Sequence, residues 1–478
     1  MRARRRLIVP LVAVVLAGCG QPGKGSAQSL QGSGLVGGFA QPDRAPPASS
    51  AEMRLSFAPV VKKAAPAVVN VFSRRVVRQQ VDPFWQMFGM TPRSGVEQSL
   101  GSGVIVRSDG VIVTNHHVID GGQEIMVVLS DRRQFPAKVL LDDAHADLAV
   151  LKVDPGAERL PTIAIDDSGS PQVGDLVLAI GNPFGVGQTV TNGIVSALAR
   201  SQVGITDYSY FIQTDAAINP GNSGGALVDM DGDLIGLNTS IVSRTGTSTG
   251  VGFAIPAAMV KQVVAVAAGG GHAMVRPWLG VKGQDVTQDI AKSLGMDRPE
   301  GVLAADVYPG GAADRAGLKV GDVILAVDGQ AVNDESAMNY RIATHDAGDR
   351  VAVQVRRGGA ARTLMVQASP APASPAKDER VISGRNPLGG ATVVNGSPAV
   401  AEQLGLDAFA AKGVMVTAVP DDSLAANVGV RPGDVIVEVN GQAISSTGQL
   451  PGALAAGGRS WRIVIQRGDQ RITGSFRL

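Results

Sequence analysis

Short apolar runs separated by turn residues characterise the chain between Phe57 and Pro256. The runs are rich in β-branched residues and are broken by Gly, Asn and Asp, as in GSGVIVRSDGVIVTN, QEIMVVLSD, DLAVLKVD, DLVLAIGNP and GDLIGLNTSIV. Many short strands with frequent turns predict a β-barrel or a β-sandwich. The segment that follows, IPAAMVKQVVAVAAGGG, has helical periodicity and a glycine run, which predicts a closing helix and a hinge.

The rest of the chain contains a repeat. AGLKVGDVILAVDGQAV at 316–332 aligns with VGVRPGDVIVEVNGQAI at 428–444, an offset of 112 residues. A repeat this long indicates a duplicated domain, because solenoid repeats have periods of about 20–50 residues. SPAPASPAK, which lies between the two copies, is typical of a stiff linker.

Length and composition agree with three domains. The chain has 478 residues, 61 of them Gly, and only 4% are aromatic. At about 150 residues per domain, this length corresponds to three domains. The high Gly and low aromatic content favours turn-rich β structure. The predicted limits are 53–270 for the strand-rich domain, 271–369 and 378–478 for the repeated domains, and 370–377 for the linker.

The N-terminus has the features of a bacterial export signal. MRARRR is a basic region, LIVPLVAVVL is a short apolar region, and LAGC contains Cys19, the only cysteine. LAGC resembles a lipobox, which implies a lipoprotein signal peptide at 1–18, lipidation of Cys19 and a disordered tether at 19–52. We therefore expect an anchor in the cell envelope, with a mild preference for an outer membrane. An ordinary signal peptide with a chance cysteine is the alternative.

Charge and motifs exclude several function classes. Lys and Arg number 43 against 42 Asp and Glu, so the net charge of +1 argues against nucleic acid as the main partner. No P-loop, zinc-ligand spacing or dinucleotide fingerprint is present in the sequence. We therefore predict neither a cofactor nor a metal.

The stretch PGNSGGALV places Ser223 among glycines. A serine hydroxyl is a poor nucleophile unless a base, usually His, takes its proton and a carboxylate orients that base. TNHHV supplies His116 and His117, and DDAHADLAVLKV supplies Asp147 at the start of an apolar run. We expect Gly221 to let its own N–H and that of Ser223 converge on an oxyanion. Taken singly, these residues could equally be a glycine turn, a surface histidine and a strand cap.

Six segments together are similar to the HtrA/Deg family of serine proteases, namely TNHHV, DLAVLKV, GNPFG, TNGIVSAL, FIQTDAAINPGNSGGALV and GVGFAIP. The resemblance implies a mostly β fold, with a chymotrypsin-like double β-barrel protease domain followed by two α+β PDZ domains. It assigns Ser223 as nucleophile, Asp147 as orienting carboxylate, and His117 as base because that histidine precedes Val. It also implies homotrimers or larger multiples of them.

The residue six positions before the nucleophile indicates the substrate specificity. An Asp there selects Arg or Lys in chymotrypsin-like enzymes, whereas this chain has Ala217 followed by Ile218. Together with Thr239, Ser240 and Ile241 they predict a small apolar pocket and cleavage after Val, Ile or Ala. Core packing of Ala217 and Ile218 is the alternative.

Two further segments resemble regulatory parts of the family. VDPFWQMFGM places Phe84, Trp85 and Phe88 where a mobile loop blocks the site or docks on a neighbouring subunit. Arg200 occupies the position of a regulatory-loop arginine. Core packing of the aromatic residues and a solvated Arg200 remain open alternatives.

The PDZ resemblance implies capture of C-terminal peptides by β-strand addition. RPWLGV and NPLGGATV are the candidate carboxylate-binding loops, through Leu279–Gly280 and Leu388–Gly389. The second copy could instead be purely architectural. The resulting prediction is an envelope serine endopeptidase that degrades unfolded proteins, and the alternative is a chaperone or scaffold with a latent protease domain.

Overall fold

The computed structural model describes most of the chain after residue 55. The described residues are 56–78, 94–166, 171–182, 187–200, 210–219, 221–241, 250–409, 411–468 and 470–477. The predicted signal peptide, the tether and the aromatic segment that includes Trp85 lie outside them.

The first six strands close into a barrel with the order β1-β2-β3-β6-β5-β4. They are β1 (Val68–Arg78), β2 (Ser94–Arg107), β3 (Val111–Thr114), β4 (Glu124–Val128), β5 (Gln134–Asp143) and β6 (Leu148–Lys152). Helix α1 (Ala58–Ala64) and a 3-10 turn (Ala65–Ala67) precede them, and the short helix α2 (His116–Ile119) follows β3. Ile125 and Val127 of β4 are buried while Glu124 and Met126 are exposed, the alternation expected of a strand with one face toward the barrel interior.

The next six strands close into a second barrel with the order β10-β11-β12-β9-β8-β7. They are β7 (Leu176–Gly181), β8 (Thr189–Arg200), β9 (Phe211–Thr214), β10 (Ala226–Val228), β11 (Leu234–Ile241) and β12 (Gly252–Pro256). The predicted closing helix is present as α3 (Ala257–Ala268), which packs on strands of both barrels. It buries Val260, Val263, Val264 and Ala267, the 3.6-residue spacing expected of one helix face.

Residues 277–368, called the first module, form a sheet with the order β13-β14-β15-β17-β18 and three helices. Its strands are β13 (Val281–Asp285), β14 (Val302–Val307), β15 (Val323–Val327), β16 (Gln330–Ala331), β17 (Arg350–Arg357) and β18 (Ala360–Gln367). Its helices are α4 (Gln288–Ser293), α5 (Ala312–Arg315) and α6 (Glu335–Ala343).

Residues 378–477, called the second module, repeat this arrangement with one additional strand at the edge, in the order β19-β20-β21-β22-β24-β25. The strands are β19 (Arg380–Val381), β20 (Thr392–Asn395), β21 (Val414–Ala418), β22 (Val435–Val439), β23 (Gln442–Ala443), β24 (Ser460–Arg467) and β25 (Gln470–Arg477). The helices are α7 (Pro398–Gln403), α8 (Leu424–Asn427) and α9 (Leu450–Ala455), the last preceded by a 3-10 turn (Thr447–Gln449).

The internal repeat has a structural counterpart in a matched ion pair. The Nε and Nη2 atoms of Arg357 each donate to one oxygen of Asp322 at 2.6 Å. The same two atoms of Arg467 donate to Asp434 at 2.7 and 2.8 Å. Both carboxylates are buried, with 1% and 0% of their side chains exposed. The duplicated GD dipeptide therefore supplies the same internal brace in both modules.

The first module packs on the second barrel through an aromatic stack. The ring of Tyr210, just before β9, lies parallel to Tyr340 of α6, with centroids 3.9 Å apart. Arg341 donates to the Tyr210 hydroxyl at 2.9 Å. A buried ion pair between Arg276 and Asp143 joins the segment leading into the first module to the end of β5. Among the described helices, none is long and apolar enough to cross a bilayer.

Candidate active site

His117 and Asp147 meet at the mouth of the first barrel. Helix α2 begins directly after β3, and this places the His117 ring against the loop between β5 and β6. Its Nδ1 lies 2.9 Å from both Asp147 oxygens, and its backbone N–H donates to Oδ1 at 3.1 Å. His116 instead pairs with Asp142 at 2.7 Å. The geometry thus separates the two adjacent histidines, and only His117 contacts Asp147.

The Asp147 carboxylate is held in place from several sides. The residue has a positive φ of 53° and is 5% exposed, and its carbonyl accepts from the Asn115 side chain at 2.9 Å. Burial acts to raise its pKa, but hydrogen bonds and charge from His117, with the Thr239 hydroxyl, outweigh burial. The net pKa of Asp147 is below its ordinary value, so the group is ionised at neutral pH.

Thr239 connects the two barrels at this point. Its hydroxyl donates to Asp147 Oδ2 at 2.6 Å, and its carbonyl accepts from Ser223 Oγ at 2.7 Å. The sequence prediction placed Thr239 in the wall of the substrate pocket. The structure corrects this, because the side chain is 2% exposed and its hydroxyl is engaged by the carboxylate. Thr239 lies at a bulge of β11 between Asn238 and Ser240, and no local sequence signal marked this role.

Ser102 of β2 holds the turn that carries Ser223. Its hydroxyl donates to the Gly221 carbonyl at 2.6 Å and accepts from the Asn182 N–H at 2.8 Å. Its N–H donates to the Ser223 carbonyl at 2.7 Å. Sequence reasoning did not single out Ser102, although it stands in the quoted stretch GSGVIV. A fully buried serine with three such bonds fixes the nucleophile turn against the first barrel.

The Ser223 turn offers two backbone donors. Gly221 has φ +96°, a left-handed conformation that favours glycine, and Ser223 is half-buried. Within the described part of the chain, no protein acceptor faces the N–H of Gly221 or that of Ser223. A nearby cluster of free amide donors is the arrangement that an oxyanion requires.

The predicted pocket residues are placed differently from one another. Ala217 is half-buried, and its carbonyl accepts from the Thr191 hydroxyl at 2.9 Å. Ile218 is 1% exposed and belongs to the core of the second barrel. The structure thereby favours core packing for Ile218, the alternative that the sequence left open. Ser240 and Ile241 lie in β11, and their side chains are outside the described part of the structure.

The two predicted carboxylate-binding loops differ in their N–H groups. No acceptor among the described residues lies opposite the N–H of Leu279 or that of Gly280, whose φ is +76°. In the second module, Leu388 donates to the Asn386 side chain at 3.0 Å, and Gly389 donates to the Asn386 carbonyl at 2.9 Å. The prediction is therefore corrected for Leu388 and Gly389 themselves, because both donors already have internal acceptors, while the next N–H of the loop, that of Gly390, donates to the Ile382 carbonyl at 2.8 Å.

The remaining predicted residues are not tested by the geometry. Phe84, Trp85, Phe88 and Cys19 lie outside the described residues, and Arg200 ends β8 with a side chain that is not described. Among the described residues, no group of three or more His, Cys, Asp and Glu side chains could hold a metal ion.

Comparison with known proteins relates each part of this architecture to a family. A trypsin-like peptidase domain matches residues 101–237, and PDZ domains match residues 277–368 and 415–467. The solved structure described as HtrA-type protease AlgW with decapeptide is 42% identical, with a TM-score of 0.51, and the match covers 66% of this chain and 99% of that chain.

Two relatives match over nearly their full length. Periplasmic serine endoprotease DegP of Salmonella typhimurium is 36% identical over 455 residues, covering 89% of this chain and 92% of DegP. Periplasmic pH-dependent serine endoprotease DegQ of Escherichia coli is 38% identical over 424 residues, covering 87% and 90%. The two barrels, the PDZ modules and this similarity together show that the chain belongs to the HtrA/Deg family of serine endoproteases.

Proposed function

We propose that this serine endopeptidase uses Ser223 as nucleophile, His117 as general base and Asp147 as the carboxylate that orients the imidazole. With Nδ1 held by Asp147, the Nε2 atom of His117 is the nitrogen left to take the serine proton. Ser223 Oγ now donates to the Thr239 carbonyl. A rotation about its χ1 bond redirects the hydroxyl toward the imidazole when substrate binds.

Catalysis then follows the charges that develop. Ser223 Oγ attacks the peptide carbonyl carbon while His117 takes the proton, and the resulting oxyanion is bound by the N–H groups of Gly221 and Ser223. His117 passes the proton to the leaving amine, and an acyl-enzyme forms. Water activated by the same imidazole then hydrolyses the ester.

The observation that carries this proposal is the bridge through Thr239. Thr239 contacts the Asp147 carboxylate at 2.6 Å and the Ser223 hydroxyl at 2.7 Å, so one residue binds both groups. A serine that only occupied a glycine turn would not be expected to bind the same residue as a buried aspartate that is itself paired with a histidine.

A serine-directed fluorophosphonate tests whether the nucleophile is activated. We expect labelling of the wild-type chain and none of Ser223→Ala, with labelling reduced at least tenfold in His117→Ala. Ser293→Ala is the matched control, because that exposed serine also donates to a backbone carbonyl, Ile290, at 2.7 Å. Labelling that persists in Ser223→Ala would contradict the assignment of Ser223 as nucleophile. Absence of labelling from the wild type in the presence of unfolded protein would favour the chaperone alternative.

For specificity we infer cleavage after Val, Ile or Ala. The small side chain of Ala217 leaves space at the predicted pocket base and offers no carboxylate to a basic residue. Asp215, two residues earlier, accepts from the Ile194 N–H at 2.7 Å. Sequencing the products from a denatured protein mixture tests this, and a preference for cleavage after Lys or Arg would contradict it.

We infer further that the substrates are unfolded proteins and that the first module binds their C-terminal peptides. The relatives are named as periplasmic proteins, which supports a location in the periplasm or cell envelope. We propose lipidation of Cys19, assembly as homotrimers, and domain limits at 53–270, 271–369 and 378–478 with the linker 370–377. Mass measurement of the mature N-terminus and of the native particle checks the anchor and the subunit count.

A further inference from the structure

The second module carries an additional strand at the edge where a PDZ domain receives its ligand. In the first module β13 is the outer strand of the sheet, whereas in the second module β19 covers the corresponding strand, β20. The pairing is antiparallel, with Arg380 opposite Val393 and Val381 opposite Thr392. Strand addition at this edge is the geometry by which PDZ domains bind peptides.

Hydrogen bonds extend this pairing over the whole edge. Asn395 donates its backbone N–H to the Lys377 carbonyl at 2.7 Å, and Ile382 donates to the Ala391 carbonyl at 2.8 Å. The direction is also that of a ligand, because the later residues of the segment reach the loop that precedes β20. Residues 378–382, Asp-Glu-Arg-Val-Ile, are called the inner segment below.

The end of the inner segment occupies the place of a ligand terminus. The carbonyl of Ile382 accepts from the N–H of Gly390 at 2.8 Å, in the loop predicted to hold a terminal carboxylate. The Ile382 side chain is 5% exposed and belongs to the core cluster that includes Leu388, Leu450 and Leu454. An apolar last residue in a pocket between strand and helix, with its carbonyl at the glycine loop, matches a bound C-terminal isoleucine.

The start of the inner segment is held by the opposite wall of the groove. Asp378 accepts from the Thr447 hydroxyl at the beginning of the 3-10 turn and from Arg380 Nε at 3.0 Å. The Thr447 N–H in turn donates to the Asn395 side chain at 2.8 Å. The inner segment therefore pairs with β20 on one side and is bound at its start by Thr447 on the other side.

We propose that the inner segment is an internal ligand that closes the peptide groove of the second module. This rests on the proposed peptide-binding role of these modules. The groove is a second binding site, and it accepts a C-terminal peptide with a final Ile or Val only after the inner segment leaves. A tethered ligand acts at an effective concentration on the order of mM, so free peptides at lower concentration bind the first module alone.

Hydrogen exchange measured by mass spectrometry tests this on the full chain carrying Ser223→Ala, which prevents cleavage. We expect Ile382→Ala to accelerate exchange of β20 more than tenfold, because the pocket residue is lost. Val381→Ala is the matched control, since Val381 is adjacent and 69% exposed, and should stay within twofold of the parent. Exchange of β13 reports the first module separately.

A peptide added to the Ile382→Ala protein tests the identity of the site. A decapeptide ending in Asp-Glu-Arg-Val-Ile with a free carboxylate should restore slow exchange to β20, and its C-terminal amide should restore less. The inference is overturned if β20 exchanges equally in the parent and in Ile382→Ala, if Val381→Ala has the same effect, or if the peptide protects β13 alone.

A milder variant covers the case in which Ile382→Ala unfolds the module, which would show as rapid exchange in β24. Asp378→Ala removes an exposed contact and should accelerate exchange at Asn395 while β24 stays slow; no change at Asn395 overturns the inference. Fluorophosphonate labelling of the parent chain with Ser223 intact is measured in parallel. If the enzyme is labelled but exchange of β20 does not change in the variants, only the internal-ligand proposal is wrong. If the chain is not labelled but exchange of β20 does change, only the catalytic proposal is wrong.

Discussion

The two modules share a scaffold but differ at the edge that a peptide would use. In the first module the N–H groups of Leu279 and Gly280 face no described acceptor, and a cleft of about 340 Å³ lies between β13 and α6. In the second module the inner segment pairs with that edge. Duplication kept the internal brace of Asp and Arg while the two grooves diverged, so similarity of the fold does not imply similarity of the ligand.

The open groove of the first module is itself bordered by the second. Phe409 packs against Trp278 and Tyr308, with ring centroids 5.9 Å from each. Lys282 of β13 forms an ion pair with Asp407 at 2.8 Å. The second module therefore has its own groove filled and places a loop at the entrance of its neighbour's groove.

The largest expected effect concerns the shared brace. Arg357→Ala and Arg467→Ala each leave a buried carboxylate without its partner, and we expect each change to lower the free energy of unfolding of its module by about 3 kcal/mol. Urea unfolding followed by hydrogen exchange of β17 and β24 measures both. Equal losses would show that the scaffold is shared energetically as well as geometrically.

Arg362→Ala is the control for this comparison, because Arg362 is exposed on β18 and should change stability by less than about 0.5 kcal/mol. A loss below 1 kcal/mol in either module would contradict the view that the repeated GD dipeptide supplies an equivalent brace. Unequal losses of stability would show that the two modules also differ in their internal packing, and not only in their peptide grooves.

Opening the first groove should produce a smaller effect. Asp407→Lys replaces an attraction with a repulsion next to Lys282, so the loop that carries Phe409 should move away from the cleft. We expect the affinity of the first module for a C-terminal peptide to rise about threefold to tenfold. Fluorescence anisotropy of a labelled peptide, on the chain carrying Ser223→Ala, measures it.

Asp421→Lys serves as the charge-matched control, since Asp421 is exposed on the second module and does not line the cleft. If both variants bind the peptide more tightly, the cause is overall charge and not the opening of the groove. If Asp407→Lys weakens peptide binding, the loop is part of the binding site and does not cover it. The second module would then help the first to bind peptide.

Local sequence patterns predicted a strand-rich domain and the repeat, and the family resemblance supplied the double barrel and the choice of His117. Short β-branched runs bounded by turn residues predicted the strands, and the offset of the GD dipeptides predicted the duplicated modules. TNHHV and DLAVLKV identified His117 and Asp147, whose contact is present. These features depend on residues close together in the chain or on motifs with fixed chemistry.

Contacts between distant elements could not be predicted in this way. Thr239 reaches Asp147 only because β11 of the second barrel passes the loop before β6, a separation of 92 residues. Ser102 binds Gly221 across 119 residues. The inner segment is mostly charged and pairs over two residues, so its composition is that of a linker. Only the tertiary arrangement shows that Ile382 fills a pocket.

The smallest expected effects are opposite pH dependences of the two grooves. Burial raises the pKa of Glu335 in the first groove; Asp285 and Asp407 act in the same direction, while the Gly283 N–H and Lys282 oppose them. The folded state therefore holds this proton more tightly than the unfolded chain. The contribution of Glu335 to stability increases as pH falls through the raised pKa toward 4.5, and Glu335→Gln should lack this increase.

Asp378 in the second groove has the opposite sign. Hydrogen bonds from Thr447 and Arg380 lower its pKa, so its stabilising contribution is complete above 3.8 and is lost as pH falls through the lower folded value. Exchange rates of β13 and β20, corrected for intrinsic pH dependence, should show Glu335→Gln differing from the parent mainly above pH 4.5. Asp378→Asn should differ by a constant amount from pH 7 to 4.5 and converge with the parent only below 3.8. If the exchange rates of β13 and β20 depend on pH in the same way, the two carboxylates do not have opposite pKa shifts. The predicted electrostatic difference between the grooves would then be wrong.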